Sequence, residues 1–80
     1  MRIRFDRFAS QLVRERVWHA SQQIQELTGG EVELRLSLDN LAEIEPWVLG
    51  WGEHAKVLGP PALWKRLAAI GRQYRKFYGD

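Results

Sequence analysis

Residues 31–38 read Glu-Val-Glu-Leu-Arg-Leu-Ser-Leu, and this stretch decides the predicted fold. Side chains of a β-strand point alternately to opposite faces, so one face of the stretch is aliphatic while the other is charged and polar. The aliphatic residues are Val32, Leu34, Leu36 and Leu38. A slip of one residue in strand pairing would put all four into water. The stretch therefore predicts a strand with one buried face and a fixed register.

The chain before this strand predicts a first strand, a short helix and an edge strand. Residues 2–5 alternate between charged and apolar side chains, which is typical of a strand. Asp6 is well placed to cap the helix that follows. Residues 17–21 show neither the alternation of a strand nor the repeat of a helix, and they predict an irregular connection. Residues 22–27 predict a glutamine-rich edge strand that reverses at Thr28-Gly29-Gly30. The predicted apolar stripe of the helix consists of Phe8, Ala9, Leu12 and Val13.

The chain after residue 38 predicts a helix, a short strand and a long final helix. Asp39 and Asn40 are good helix caps, but Pro46 requires the helix after them to start late or to bend. Residues 54–58 predict the last strand. A helix from about Pro61 to Tyr78 then presents an apolar stripe on one face. The members of this stripe are Leu63, Leu67, Ile70, Tyr74 and Phe77.

This order of elements indicates a known topology. Two strand-helix-strand units joined by a hairpin form the ferredoxin-like βαββαβ arrangement, an antiparallel sheet with two helices on one face. Right-handed crossovers place the first and third strands in the middle of the sheet. We therefore predict an α+β, ferredoxin-like fold with an additional C-terminal helix, in one domain that spans residues 1–80.

The composition narrows the kinds of site to expect. The chain has no cysteine, which excludes disulfides and thiolate ligands. Its two histidines, His19 and His54, are too few for a histidine-based metal site without several carboxylates. No apolar run approaches the roughly 18 residues that a membrane-spanning helix needs. We expect a cytoplasmic protein with no metal, no cofactor and no membrane association.

Charge is distributed unevenly along the chain. Residues 1–20 carry a net charge of +3, residues 21–63 carry −5, and residues 64–80 carry +4. Basic ends are typical of a nucleic-acid surface. The same pattern also arises where basic ends pair with an acidic middle or with another subunit. The sequence leaves both interpretations open.

Neither an enzyme nor a general RNA-recognition domain is indicated. RNA-recognition domains of this topology stack bases on aromatic side chains of the two central strands, and the outward face here has none. No glycine-rich phosphate loop, serine-histidine-acid set or pair of carboxylates occurs at a useful spacing. We expect a non-catalytic protein. Binding of single-stranded nucleic acid by the basic sheet face stays open as an alternative function.

Four segments in series carry a family resemblance. They are residues 13–22 (VRERVWHASQ), 30–36 (GEVELRL), 47–52 (WVLGWG) and 55–60 (AKVLGP), followed by Leu63. In this order they resemble the WCX domain, the C-terminal extension of bacterial WYL-domain transcriptional regulators.

The resemblance has implications for fold, partners and function. It implies a ferredoxin-like domain at the end of a longer chain, after a helix-turn-helix that binds DNA and a WYL domain that senses an effector. It also implies a role in the response to the effector or in assembly of a homodimer of the full-length regulator. DNA would be bound through the upstream domain. A nucleotide or a single-stranded nucleic acid is a candidate effector.

The candidate site residues fall in two groups. The matched segment contains Arg14, Arg16, His19, Ser21 and Gln22. Arginine can bind phosphate or carboxylate through two hydrogen bonds, and the other three side chains offer neutral or titratable hydrogen-bonding groups. We predict effector or interdomain contact here, with structural ion pairs as the alternative for the arginines. The predicted oligomer interface consists of Trp64, Tyr74 and Phe77, while Trp47 and Trp51 are expected in the core or an interface.

Overall fold

The computed structural model describes residues 1–38 and 40–79. Its regular elements are β1 (Arg2–Phe5), α1 (Arg7–Arg14), β2 (Gln23–Glu26), β3 (Val32–Arg35), α2 (Leu41–Leu49), β4 (Ala55–Gly59) and α3 (Pro61–Tyr78). Short 3-10 turns at Thr28–Gly30 and Gly52–His54 precede β3 and β4. The strand order is β2-β3-β1-β4, with every pair antiparallel. These elements confirm the α+β, ferredoxin-like fold with an additional C-terminal helix and with β1 and β3 in the middle.

Strand β3 has the predicted register but is shorter than predicted. Val32, Leu34 and Leu36 are buried and Leu38 is half-buried. Pairing continues one residue beyond the ladder, because the Leu36 N–H donates to the Met1 carbonyl at 2.9 Å and the Met1 amino group donates to the Leu36 carbonyl at 2.8 Å. Glu33, on the opposite face, is also buried. The polar face of this strand is therefore partly covered.

Helix α1 has the predicted cap but only part of the predicted stripe. The Asp6 carboxylate accepts the Ala9 N–H at 2.9 Å. Ala9 and Val13 are fully buried, whereas Phe8 and Leu12 are 63% and 47% exposed. Only the Ala9 and Val13 part of the predicted stripe is therefore buried in the core. The small side chains of Ala9 and Ser10 let the helix approach the sheet, and Ser10 Oγ donates to the Phe5 carbonyl at 3.2 Å.

Helix α2 begins directly after its Asn40 cap. The Asn40 side chain accepts the Ala42 N–H at 3.1 Å, while the cap prediction for Asp39 lies outside the described residues. Pro46 sits inside the helix, so of the two alternatives that the sequence left open the late start is excluded. Proline has no N–H, and the helix therefore lacks one of its regular hydrogen bonds at this point.

One core joins the sheet to all three helices. Helix α1 contributes Ala9 and Val13, α2 contributes Ile44 and Val48, and α3 contributes Leu63. Further along α3, Leu67 and Ile70 are half-buried, and the helix leaves the core beyond them. Within residues 1–38 and 40–79, no helix is both long and apolar enough to cross a membrane.

Candidate functional site

The connection between α1 and β2 is an ordered loop held by the side chain of Gln22. Gln22 Oε1 accepts the N–H groups of Trp18 and of His19, the latter at 3.2 Å. Gln22 Nε2 donates to the Arg16 carbonyl at 3.2 Å. The Gln22 main-chain N–H also donates to the His19 carbonyl, at 3.0 Å. A single amide thus supplies the hydrogen bonds that a helix or a sheet would otherwise give this segment.

Ser21 fixes the orientation of the His19 ring. The Ser21 N–H donates to His19 Nδ1 at 3.1 Å, and Ser21 Oγ lies 2.7 Å from the same nitrogen. Ser21 Oγ in turn accepts the Ser37 N–H at 2.9 Å, which ties the loop to the chain after β3. Because Nδ1 accepts a hydrogen bond, the neutral ring carries its proton on Nε2. The Nε2–H group is then the ring donor that does not take part in these loop hydrogen bonds.

A cavity of about 240 Å³ opens between this loop, the chain just after β3 and α2. Its lining residues are Trp18, His19, Leu36, Leu38, Glu43, Ile44 and Trp47. We call it the Trp18–His19 pocket. The walls are mostly apolar, with the imidazole and one carboxylate as polar groups. Pockets that bind small ligands share this composition, an apolar surface with a few polar groups that set orientation.

Packed aromatic rings form one wall of the Trp18–His19 pocket. The Trp18 and Trp47 ring centroids lie 5.5 Å apart in an edge-on arrangement, and Trp51 lies 5.8 Å from each of them. The Trp51 ring also packs on Phe5 at 5.2 Å, and the Trp18 indole N–H donates to the Val13 carbonyl at 3.1 Å. Edge-on contacts of this kind are favourable beyond the area they bury. The wall is therefore held to the core.

Neither arginine of the predicted site is among the residues that line the pocket, although Arg16 packs on one of them, Trp18. The Arg14 guanidinium forms two hydrogen bonds with the Glu26 carboxylate, at 2.9 and 2.6 Å, and a third with the Gly30 carbonyl at 3.1 Å. Hydrogen bonding to Glu26 raises the pKa of Arg14, and the same contact lowers the pKa of Glu26. The Arg16 guanidinium lies 5.5 Å from the Trp18 ring centroid. Arg14 therefore fixes α1 to the β2–β3 hairpin.

The structure thus brings together His19, Ser21 and Gln22, with Arg16 joined through its carbonyl, and separates Arg14 from them. Sequence reasoning did not assign Trp18, Trp47 and Glu43 to a site. A signal for Trp18 was present, because so large an apolar side chain in an irregular connection must pack somewhere. Glu43 gave no signal, since its place beside the cavity depends on how α2 packs.

The three aromatic residues predicted for an oligomer interface lie along α3. Trp64, Tyr74 and Phe77 are 42%, 52% and 62% exposed. Trp64 lies over β4, Tyr74 lies beside the end of α2, and the Phe77 ring packs on Tyr78 at 6.1 Å. They do not form one compact patch, and their role in assembly stays a prediction.

The open face of the sheet is a network of paired charges. Glu33 accepts from Arg2 Nε at 2.9 Å and from Arg35 Nε at 2.7 Å. The hydrogen bond from Arg2 and, next in size, the one from Arg35 lower the pKa of Glu33 to about 2, although burial of the carboxylate acts in the opposite direction. Arg4 pairs with Glu31 on the same face. Across the described ranges, 1–38 and 40–79, no three histidine or acidic side chains cluster as a metal site.

Comparison with known families agrees with these observations. Residues 1–75 match the family model of the WCX domain. No curated protein sequence matches the chain. The matched range includes the loop, all four strands and most of α3. This chain belongs to the WCX domain family.

Proposed function

We propose that this domain is a non-catalytic regulatory domain of a bacterial transcriptional regulator. It works in one chain with an upstream WYL domain and a DNA-binding helix-turn-helix, and the full-length protein acts as a homodimer. The observation that carries the proposal is the Trp18–His19 pocket, to which three of the four segments that carry the family resemblance contribute lining residues. We propose this pocket as the place where the domain contacts an effector or a neighbouring domain.

The chemistry of the pocket defines what it accepts. Its aromatic and aliphatic walls favour a flat apolar group, His19 Nε2–H offers a donor, and the Glu43 carboxylate offers an acceptor. A nucleobase meets this description, which keeps a nucleotide as a candidate effector. Because Gln22 and Ser21 already order the loop, binding costs little further conformational entropy.

Two variants of the full-length regulator test this proposal. His19→Phe keeps a ring and removes the donor, and Leu38→Arg fills the pocket with a charged side chain. We expect both variants to reduce the effector-dependent change in promoter activity. The loss of one hydrogen bond between neutral groups, or of one apolar contact, should reduce it by about tenfold. Lys76→Ala, on the last turn of α3, is the control and retains the response. A normal response in both pocket variants would show that the proposed site is wrong.

Arg14 is a poor probe of the same question. Because its guanidinium holds α1 to the hairpin, Arg14→Glu disturbs the fold as well as any ligand contact. Single-stranded nucleic-acid binding by the sheet face is not part of the proposal. Arg2, Arg4 and Arg35 each already pair with a carboxylate there, so a phosphate would have to displace it.

A further inference from the structure

Strand β4 is an edge strand whose outer edge borders a groove. In the part of the chain that the structure describes, β4 forms ladder bonds with β1 only. A groove of about 550 Å³ runs between this edge and α3. Four consecutive strand residues and three helix residues line it, namely Ala55, Lys56, Val57, Leu58, Trp64, Leu67 and Ala68. We call it the β4–α3 groove, and it shares no lining residue with the Trp18–His19 pocket.

The main chain of β4 offers hydrogen bonds toward this groove. The Asp6 N–H donates to the His54 carbonyl at 3.0 Å, which marks these two residues as a hydrogen-bonded pair. Hydrogen-bonded and non-hydrogen-bonded pairs alternate along antiparallel strands. Ala55 and Val57, which face Phe5 and Ile3, are therefore in non-hydrogen-bonded pairs. Their N–H and C=O groups point away from β1, at the spacing that a further strand would use.

The walls of the groove are apolar, and Lys56 is the one charged side chain in the described lining. Trp64, Leu67 and Ala68 form the helix side, with Trp64 42% exposed. Lys56 lies on the strand, and Lys65 Nζ lies 5.9 Å from the Trp64 ring centroid. Helix α3 contains five cationic residues and no acidic one. None of the five is in the described lining, which also includes no carboxylate, and Arg66 pairs with Glu45 on α2. The surface is thus complementary to an apolar segment that carries negative charge.

We propose that the β4–α3 groove binds an extended acidic segment of a partner protein as a fifth strand on β4. Main-chain hydrogen bonds join the segment to Ala55 and Val57, as in other cases of strand addition. Because strand side chains alternate, one face of the segment contacts Trp64, Leu67 and Ala68. The other face lies beside Lys56 and carries the acidic residues.

Charge favours this occupant over a second copy of the chain. Pairing β4 with β4 of another copy would bring two cationic α3 helices and two Lys56 side chains into one interface. Like charges at close range oppose association. An acidic segment carries the opposite charge, and its binding does not bring two cationic surfaces together.

The first test uses the ¹⁵N-labelled chain and the peptide Ac-Glu-Val-Glu-Leu-Glu-Val-Glu-NH2. We expect amide shift changes confined to β4 and the first half of α3. Two N-methylated peptides then separate strand addition from simple apolar contact, because only alternate peptide amides can face β4. Methylation of one alternate set should weaken binding by about tenfold or more, and methylation of the other by less than about twofold. Equal effects of the two sets, or shifts elsewhere, would overturn the proposal.

Variants of the chain give an independent test. Trp64→Ala and Lys56→Glu should each weaken binding of the same peptide by about fivefold or more. Phe77→Ala is the matched control, since it removes an exposed aromatic ring of α3 outside the groove, and it should bind normally. Thermal unfolding checks that each variant is folded. Normal binding by folded Trp64→Ala and Lys56→Glu variants would contradict the proposal.

Other occupants give distinct results. Light scattering that shows a dimer, with concentration-dependent shifts at Ala55 and Val57, would assign the groove to a second copy. Binding of oligothymidylate at these residues without binding of the peptide would assign it to nucleic acid. Either result would overturn the proposal.

Discussion

At the scale of single residues, Gln22 determines the shape of the loop that forms the Trp18–His19 pocket. Both ends of its amide are used, by two main-chain N–H groups and one carbonyl. Removal of one partner from such an arrangement leaves the others without hydrogen bonds, which costs more than the net value of the bonds themselves.

We therefore predict that Gln22→Ala lowers the free energy of unfolding by about 1 to 3 kcal/mol. Urea unfolding followed by tryptophan fluorescence measures the change, and Trp18 makes the same signal sensitive to the loop. Gln23→Ala is the control, because Gln23 is the neighbouring residue and is exposed. Equal stabilities of the two variants would mean that the loop does not depend on the Gln22 amide.

Glu33 couples the stability of the sheet to pH. Its pKa falls from an ordinary value of 4.5 to about 2, chiefly through hydrogen bonds from Arg2 and then Arg35. A carboxylate whose pKa is lower in the folded state contributes stability above the unfolded-state pKa and loses it as the pH falls. The contribution of Glu33 is therefore complete above about pH 4.5 and is lost toward about pH 2.

We predict that Glu33→Gln reduces the loss of stability between about pH 7 and about pH 3 by about 1 kcal/mol. This value is well below that of the whole pKa shift, because the side chains of Arg2 and Arg35 are 54% and 47% exposed to water. Urea midpoints at the two pH values measure it. Glu15→Gln, at an exposed position, serves as the control. A wild-type pH dependence in Glu33→Gln would exclude this residue as a source.

At the scale of elements, Pro46 makes α2 less stable than the same helix would be with another residue at this position. It is the sixth residue of the helix, beyond the first turn where proline is tolerated, and it is exposed. Alanine at this position restores the missing N–H donor and its helical hydrogen bond.

We predict that Pro46→Ala raises the free energy of unfolding by about 1 kcal/mol, because the restored helical hydrogen bond outweighs the conformational entropy that the unfolded chain gains when proline is removed. Pro61→Ala is the matched control. Pro61 is the first residue of α3, where proline is favourable, and its removal should lower stability by about 0.4 to 1 kcal/mol. Thermal and urea unfolding of both variants test the opposite signs. A loss of stability in Pro46→Ala would mean that the ring makes contacts that outweigh the hydrogen bond.

Helix α3 is held by its first half. Leu63 is 1% exposed and belongs to the core, whereas Phe77, which shares its predicted stripe, is 62% exposed. We predict that Leu63→Ala costs about 2 to 5 kcal/mol, while Phe77→Ala costs less than about 0.5 kcal/mol. Equilibrium unfolding in urea compares the two. A large loss in Phe77→Ala would indicate that the end of α3 packs on the domain in solution.

Elements were predictable where the signal is local. The Asp6 cap depends on a residue three positions away, and the β3 register depends on alternation within one strand, so both could be predicted from the sequence. The buried face of α1 could not be predicted from the sequence. The packing of the helix on the sheet decides that Ser10 is buried and Phe8 is exposed, and no local pattern indicates this. The same holds for the pocket, whose walls come from the loop, the chain just after β3 and α2.

At the scale of the whole molecule, the ion pairs explain the uneven charge of the chain. Arg2 with Glu33, Arg4 with Glu31, Arg14 with Glu26 and Arg66 with Glu45 each join a basic end to the acidic middle. Asp6 and His54 add a contact of 2.6 Å between the same parts of the chain. The structure thus favours internal pairing for these arginines over a free basic surface.

The sign of the salt dependence of folding tests this interpretation. Salt weakens attraction and repulsion alike, and the Debye length falls from about 30 Å at 0.01 M to about 8 Å at 0.15 M. If pairing between the ends and the middle dominates, NaCl added over this range lowers the free energy of unfolding, by about 1 kcal/mol or less because exposed pairs are weak. If repulsion among the basic groups dominates, the same addition raises the free energy of unfolding.

Urea unfolding at fixed pH measures the sign of this salt dependence. Arg4→Gln removes one of the pairs and should make the salt dependence smaller. A rise in stability with salt would show that the positive charge of α3 and the N-terminal segment is not neutralised within the domain.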